Sequence, residues 1–206
     1  MLLAAFLMGC HKKFSSADYY PMKKDYTWVY SGPTSKIKIT DEKDLASGSQ
    51  FTLTYYDSLG EESWQEVFVQ KESGLYWLSF ISRLTSPSNI TFNPPLPITP
   101  MSNKIGTGER VKSTESRNDS TTTTLGIRVE NEIDAIEDVV VAAGKFSNCI
   151  RVKMTIIYTD PTERPLFAGT SYWWFALGVG PVKFLTTATG GELEGATLGN
   201  RKIPAD

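Results

Sequence analysis

The most regular stretch of the sequence is residues 150–158, in which apolar and polar side chains alternate. Its apolar positions are Ile150, Val152, Met154, Ile156 and Tyr158, and between them lie Arg151, Lys153 and Thr155. Alternation with a period of two places each set of side chains on one face of a β-strand. Similar segments recur along the chain between turn-forming sequences such as residues 57–60 and 72–74. About a dozen such segments without a long helical pattern predict an all-β fold: an antiparallel open barrel or two-layer sandwich with at most short helices.

Three segments depart from this pattern. Residues 94–100 hold four prolines in seven positions, which indicates an extended surface connection or an edge rather than a paired central strand. Residues 41–47 are compatible with one helical turn that ends at Gly48. Residues 134–143 fit either a helix face or a strand, and we predict a strand because consecutive valines at 139–141 lose rotamer freedom in a helix.

The N-terminus carries a short apolar run, Met1 to Met8, that leads into Leu7-Met8-Gly9-Cys10. This Leu-x-Gly-Cys sequence resembles the box at which bacterial lipoprotein precursors are cut and the cysteine is acylated. The resemblance implies removal of residues 1–9, lipidation at Cys10 and attachment to a membrane through the acyl chains. No Lys or Arg precedes the run, so we interpret Met1 as a start site placed too late. The alternative is an apolar N-terminal strand with Cys10 as a buried thiol.

The polar segment 10–20 is then a tether, and residues 21–206 form a single β-rich domain. Pro21-Met22 and Pro100-Met101 each precede a set of strands, which raises the alternative of two related halves that meet near 94–104. His11 follows the predicted lipidated cysteine. By resemblance to the Gram-negative sorting rule, a residue other than Asp at this position implies the outer membrane, with the domain facing the periplasm.

The composition excludes several classes of function. The 21 Lys and Arg residues nearly balance 23 Asp and Glu residues and form no basic stripe, so nucleic acid is not an expected partner. His11 is the only histidine, and it lies in the tether, which argues against Ser-His-Asp and Cys-His catalysis and against a zinc site. We therefore expect neither a metal nor another cofactor. With Cys10 acylated, Cys149 has no disulfide partner and is interpreted as a buried, inert thiol.

Two strands are apolar on both faces, residues 75–81 and 172–175. In the first, we expect Trp77 and Ile81 on one face and Tyr76 and Phe80 on the other, and in the second the faces are Tyr172 with Trp174 and Trp173 with Phe175. Because antiparallel sheets usually leave one face in water, such strands need a cover: a second sheet, a short helix, a partner protein or an apolar ligand. The candidate ligand-binding residues are Trp28, Tyr76, Trp77, Tyr172, Trp173 and Trp174.

Carboxylates are the remaining candidates for acid–base chemistry. They occur in pairs at Glu61-Glu62, Glu130 with Glu132, and Glu137-Asp138. Two acids that share a groove can hydrolyse glycosides. Solvated faces of a sheet account for such pairs more simply, so a carboxylate-based hydrolase is the least favoured of our three hypotheses.

Three motifs together are similar to a group of bacterial lipoproteins and secreted proteins of unassigned function, the TapB-like, domain-of-unknown-function type. They are Tyr20-Pro21-Met22-x-x-x-x-Thr27-Trp28-x-Tyr30, Ala143-Gly144-Lys145-Phe146-x-x-Cys149-x-x-Val152 and Trp174-Phe175-Ala176-x-Gly178-Val179-Gly180-x-Val182-Lys183. The resemblance implies a β-rich fold similar to the open barrels of periplasmic lipoprotein carriers, and it implies no catalytic residues.

The sequence therefore leads to an expected function without catalysis. The first hypothesis is an anchored envelope lipoprotein that binds an apolar ligand or another envelope component. The alternative is a structural or assembly lipoprotein whose aromatic surface contacts another envelope protein.

Overall fold

A computed structural model describes residues 15–82, 89–99, 104–117, 123–160 and 167–204. Within these ranges the chain forms one short helix, α1 (Ser16–Tyr19), and thirteen β-strands. The strands are β1 (Thr27–Tyr30), β2 (Lys36–Leu45), β3 (Gly48–Tyr56), β4 (Glu62–Lys71), β5 (Gly74–Ser82), β6 (Asn89–Thr99), β7 (Gly108–Arg117), β8 (Thr123–Val141), β9 (Gly144–Tyr158), β10 (Gly169–Ala176), β11 (Gly180–Leu185), β12 (Gly190–Leu198) and β13 (Arg201–Ile203). The predicted all-β antiparallel class is confirmed.

The sheet is a meander that closes on itself. Each strand pairs with the next one along the chain, and β1 also pairs with β12, with Thr27 opposite Thr197 and Trp28 opposite Ala196. β13 pairs with residues 196–198 of β12, beyond the end of β11. The result is a closed antiparallel barrel of twelve strands, the barrel alternative of the prediction. Closure satisfies the backbone groups that an open sheet leaves unpaired at its edges.

Alternation within each strand fills the barrel with apolar side chains. In β10, Trp173 and Phe175 face the interior while Tyr172 and Trp174 face outward, as the sequence pattern predicts. In β5 the expected alternation fails, because the pairing register shifts at Leu78. An extra residue in one strand reverses the phase of the pleat. Trp77 and Phe80 therefore both face the interior, and the predicted pairing of Trp77 with Ile81 on one face is wrong.

Two of the ambiguous segments form strands. Residues 134–143 lie mainly in β8, as predicted from the valines, and β8 pairs with β9 from Ile127 to Val141. The helical turn over residues 41–47 is wrong, because β2 continues to Leu45, which pairs with Gly48 in a tight hairpin. Cross-strand pairing with β3 outweighs the weak helical preference of this polar segment.

The proline-rich segment is part of β6, but β6 is paired along only one edge there. Leu96 and Pro97 pair with β5, whereas the ladder with β7 ends at Asn93. Side chains from neighbouring strands bind carbonyls of this segment instead: Ser113 Oγ donates to the Pro94 carbonyl at 2.6 Å, and Asn131 Nδ2 donates to the Pro97 carbonyl at 3.0 Å. A strand without amide hydrogens on one side is thereby held in the barrel wall.

The N-terminal segment packs against one end of the barrel. Gly178, in the turn between β10 and β11, donates its amide hydrogen to the Asp18 carbonyl at 2.6 Å. Tyr20 is buried, with its ring 5.5 Å from that of Trp28 and 5.6 Å from that of Phe175. The part of the predicted tether from Ser16 to Tyr20 is thus packed on the domain. Cys10 and the signal segment 1–9 lie outside the described residues.

Candidate functional site

The barrel encloses a cavity of about 350 Å³. A barrel of about eight strands is just wide enough for side chains to fill, so twelve strands leave additional interior space. The cavity lies between the β3–β5 side and the β9–β11 side of the barrel. Its lining residues are Tyr20, Thr34, Ile37, Tyr55, Trp64, Glu66, Phe68, Trp77, Phe80, Ile98, Met154, Ile156, Phe167, Ala168, Gly169, Thr170, Ser171, Trp173, Phe175, Phe184 and Thr186 to Thr189. Its volume is within the usual range for small-molecule sites, roughly 300–1,000 Å³.

Aromatic rings form most of the cavity wall. On one side, Phe167 packs edge-on against Trp77 at 4.9 Å and against Phe80 at 5.3 Å between ring centroids. On the opposite side, Trp173 stacks on Phe184 at 5.0 Å. These contacts are in the range of favourable aromatic pairs and fix the ring orientations. The wall is therefore apolar and preorganised.

The two ends of the cavity differ. At one end lies the turn between β11 and β12, where Thr187 and Ala188 are exposed to solvent and also line the cavity. At the other end lies Tyr20, which is buried and belongs to the N-terminal segment. The cavity thus reaches from a solvent-exposed turn to the packed N-terminal segment.

One carboxyl group, that of Glu66, faces this apolar space. Glu66 lies on β4 opposite Leu53 of β3 and Phe80 of β5. Tyr55 Oη donates a hydrogen bond to Glu66 Oε2. Burial away from bulk water raises the pKa of Glu66 to about 7, and the hydrogen bond from Tyr55 opposes part of that rise. The site thus contains an acid that changes its charge close to neutral pH.

The tyrosines around Glu66 stay neutral. Burial is the main cause that raises the pKa of Tyr20 and of Tyr55, and the nearby Glu66 charge adds to it. Tyr30 is also buried, and its hydroxyl donates to the Pro181 carbonyl at 2.7 Å. Among the described lining residues there is no Lys, Arg or His. The described lining therefore offers aromatic surface, hydroxyl groups and one carboxyl, with no positively charged side chain.

The structure divides the six ligand-binding residues predicted from the sequence into three groups. Trp77 and Trp173 line the cavity, and both lie on strands that are apolar on both faces. Trp28 belongs to the packed core: it is fully buried, and its Nε1 donates to the Val179 carbonyl at 2.7 Å. Tyr76, Tyr172 and Trp174 face away from the cavity.

Tyr172 and Trp174 belong to a polar cluster on the outer face of the barrel. Trp174 Nε1 donates to Glu137 Oε1 at 2.6 Å, and the same oxygen accepts a hydrogen bond from Arg151 at 3.2 Å. The Arg151 guanidinium lies 5.8 Å from the centres of both the Tyr172 and the Trp174 rings. We call these four residues the outer aromatic cluster. Its rings are half-covered by charged neighbours, so they need no second sheet.

Two of the three acid pairs of the hydrolase hypothesis, Glu130 with Glu132 and Glu137 with Asp138, form ion pairs on the barrel surface. Glu130 binds Arg110 at 2.9 Å and Arg128 at 3.2 Å, and Glu132 binds Lys153 at 3.4 Å. Asp138 binds Lys145 at 2.9 Å, which together with the amide of Asn148 lowers the pKa of its carboxyl. The pairs of Glu130 with Arg110, Glu132 with Lys153 and Asp138 with Lys145 each join two adjacent strands.

The described residues include one cysteine, Cys149. Cys149 is fully buried, and burial raises the pKa of its thiol to about 11, so the thiol is not activated. In the described ranges no three His, Cys, Asp or Glu side chains come together as a metal site. Over the same ranges no helix has the length and hydrophobicity needed to cross a bilayer.

Sequence reasoning missed several residues of the cavity, chiefly Trp64, Glu66, Phe80 and Phe167. Glu66 had a detectable signal, since it is an acid between Trp64 and Phe68 on what becomes one face of β4. A lone acid at an inward position of an apolar strand face indicates a buried functional or structural carboxyl. Phe167 gave no signal, because it lies between strands and its position depends on the closure of the barrel.

Comparisons with known proteins give the fold. No protein-family model matches the chain, and no curated protein is detectably similar to it in sequence. It is similar in structure to a candidate lipoprotein from Parabacteroides distasonis, with a TM-score of 0.53 and 15% identity over 87% of this chain and 98% of that one. It is also similar to a candidate exported protein with a YmcC-like fold from Bacteroides fragilis, with a TM-score of 0.52 and 17% identity over 87% of this chain and 99% of that one. At these identities the similarity shows a shared barrel fold.

Proposed function

We propose that this protein is a non-catalytic binding protein of the bacterial cell envelope that holds an apolar ligand inside its barrel. The observation that carries the proposal is the cavity of about 350 Å³ with Trp64, Trp77 and Trp173 in its wall. An apolar molecule in this space would gain the free energy of removing its surface from water without distorting the barrel. The ion-paired surface acids and the buried Cys149 support a role without catalysis.

The envelope location rests on the N-terminal sequence. The Leu-x-Gly-Cys box at Cys10 and the TapB-like motifs support a lipid-anchored protein, and His11 supports the outer membrane with the domain in the periplasm. The two structurally similar proteins are described as a candidate lipoprotein and a candidate exported protein, which is compatible with this location. The partners we propose are thus the membrane, through the acyl chains, and an apolar small molecule or envelope component.

From the positions of two turns we infer how the cavity is oriented relative to the proposed anchor. Asp18 contacts the turn before β11, whereas the cavity is lined by the turn after β11. The six residues of β11 separate these turns by roughly 20 Å. Residues 10–15 span at most about 18 Å when extended, so an anchor at Cys10 holds the Asp18 end near the membrane. The exposed cavity end, at Thr187 and Ala188, then faces away from that leaflet.

The proposal is tested by fluorescence quenching with 8-bromooctan-1-ol, because bromine quenches tryptophan only near contact. Saturable quenching is expected, and Trp173→Phe should remove part of the quenched signal. The matched control is its neighbour Trp174→Phe, which should remove only unquenched signal because Trp174 faces outward. Absence of saturable quenching, or equal effects of the two substitutions, would overturn the proposal.

A second candidate function is assembly with another envelope protein through the outer aromatic cluster. It is favoured by the outward position of Tyr172 and Trp174 beside Arg151, because aromatic and arginine side chains are enriched at protein interfaces. Crosslinking in intact envelopes through a photoreactive residue at Tyr172 tests this function. If the protein assembles through this cluster, the photoreactive residue at Tyr172 should crosslink to another protein. The same photoreactive residue at the exposed Thr187 should give no such adduct.

A further inference from the structure

Glu66 indicates which polar group the ligand carries. Among the described residues that line the cavity, Glu66 is the only ionisable side chain apart from tyrosine. It lies beside the apolar wall and not at its solvent-exposed end, since its strand neighbours are Leu53 and Phe80. A carboxyl group in such a position needs a compensating donor or cation when it is charged.

The protein itself provides only part of that compensation. Tyr55 Oη donates to Oε2, and within the described chain no other hydrogen bond and no ion pair to this carboxylate is formed. The other titratable group that interacts with it is Tyr20 on the N-terminal segment, and Tyr30 on β1 interacts with Tyr20; both are neutral phenols. Tyr55 is therefore the only described hydrogen-bond donor to the Glu66 carboxyl, and the same carboxyl lines the apolar cavity.

Building on the proposed function, we infer that the ligand is an apolar molecule with a protonated amine, which Glu66 binds as an ion pair while Trp77 and Trp173 contact the apolar part. A charged ammonium provides both a further hydrogen bond to the carboxylate and a positive charge to offset it. Charge-assisted hydrogen bonds are about twice as strong as neutral ones, so an alcohol satisfies the same oxygen less well. A carboxylate ligand places a second negative charge beside Glu66, with no Lys, Arg or His in the described lining to offset it.

Binding of such an amine is coupled to the release of a proton. An alkyl ammonium, like the lysine side chain, has a pKa near 10.4 and stays charged at neutral pH. The pKa of Glu66 is about 7 in the empty cavity, so the carboxyl must lose its proton before it pairs with the amine. Affinity for the amine should therefore increase as the pH rises from 6 to 8, whereas affinity for an alcohol of the same length should change little. Tyr20, Tyr30 and Tyr55 stay protonated over this range, because burial raises the pKa of each.

The test compares decylamine, decan-1-ol and decanoate by titration calorimetry at pH 7.5, each below its micellar concentration. Decylamine should bind about tenfold more tightly than decan-1-ol, given the difference between charged and neutral hydrogen bonds, and decanoate should bind most weakly. Glu66→Gln keeps the shape and removes the charge, so decylamine should then bind no more tightly than decan-1-ol, because its buried ammonium has lost its partner. Glu61→Gln, an exposed acid in the turn before β4, is the matched control and should leave all three affinities unchanged.

The outcomes separate this inference from the proposed function. If decan-1-ol and decanoate bind as tightly as decylamine, or if Glu66→Gln leaves their ranking unchanged, the amine inference is wrong and the apolar cavity remains a binding site. If none of the three binds to the wild-type protein, the proposed function fails and this inference fails with it.

Discussion

Tyr55 Oη donates a hydrogen bond to the Glu66 carboxyl inside the barrel, and the two residues lie on adjacent strands, β3 and β4. Tyr55 also stacks on Trp64, with 4.8 Å between ring centroids, so the hydroxyl that reaches Glu66 is held by a packed aromatic ring. This relationship places an acid of fixed orientation in an apolar wall. The Glu66 carboxyl can therefore bind a complementary polar group of a ligand in the aromatic cavity.

Glu66 should make the stability of the barrel depend on pH. Its pKa is about 7 in the folded protein against 4.5 as a free side chain, so the folded state binds more protons between these values. The contribution of Glu66 to the free energy of unfolding is therefore at its full value below pH 4.5 and is lost as the pH rises through 7. At about 1.4 kcal/mol per pKa unit, the loss amounts to at most about 3 kcal/mol.

Urea unfolding of wild type and Glu66→Gln at pH 5 and pH 8 checks this prediction. The difference in unfolding free energy between the two proteins isolates the contribution of Glu66 from that of other titrating groups. We expect the variant to gain stability relative to wild type as the pH increases. A difference that is the same at both pH values would mean that the carboxyl does not change its charge in the folded state.

A second acid, Glu115, is completely buried with Arg117 as its ion-pair partner at 2.5 Å, and it also accepts a hydrogen bond from Tyr158. Arg117→Met should destabilise the protein by about 3–5 kcal/mol, because it leaves a buried charge without its partner. Adding Glu115→Gln should recover much of that loss, since the amide oxygen still accepts from Tyr158. Thermal unfolding of both variants measures the effect, and a double variant no more stable than the single one would contradict it.

The Thr99 hydroxyl is buried with no hydrogen-bond partner in the described part of the chain, and the residue is only 1% exposed. Thr99→Val keeps the shape of the side chain and removes the unsatisfied group. Since such a group costs about 1–3 kcal/mol, we expect the variant to be more stable by about 1 kcal/mol. Chemical denaturation checks this, with Thr52→Val, a partly exposed threonine on β3, as the control. Destabilisation by Thr99→Val would mean that the hydroxyl has a partner such as bound water.

The proposed anchor predicts a change of location. Cys10→Ser removes the sulfur to which acyl chains attach, so the variant should leave the membrane fraction and lose labelling by palmitate. Cys149→Ser is the control, because that thiol is buried in the barrel and should not affect location. A Cys10→Ser protein that stays with the membrane would contradict lipid anchoring.

The positions of many strands were predictable, because local alternation indicates which segments form strands and which face of each is buried. β9 contains the whole alternating segment 150–158, and the valines of β8 favour the strand that forms. Features that depend on distant residues were not predictable. The pairing of β1 with β12 closes the barrel only after the whole chain is folded, and the register shift at Leu78 turns Phe80 inward.

The site was predictable only in part for the same reason. Trp77 and Trp173 were identified because their strands are apolar on both faces. The pattern could not distinguish a ring that lines a cavity from one in the core, such as Trp28, or one on the outer surface, such as Trp174. That distinction depends on the width of a twelve-stranded barrel.

The most direct test of the central claim is a crystal structure of the protein soaked with 8-bromooctan-1-ol, with data collected at the bromine absorption edge. The account predicts an anomalous peak inside the barrel, in contact with Trp77 or Trp173. A peak found only on the outer surface, with the interior empty in well-ordered density, would contradict the claim that the barrel binds apolar molecules.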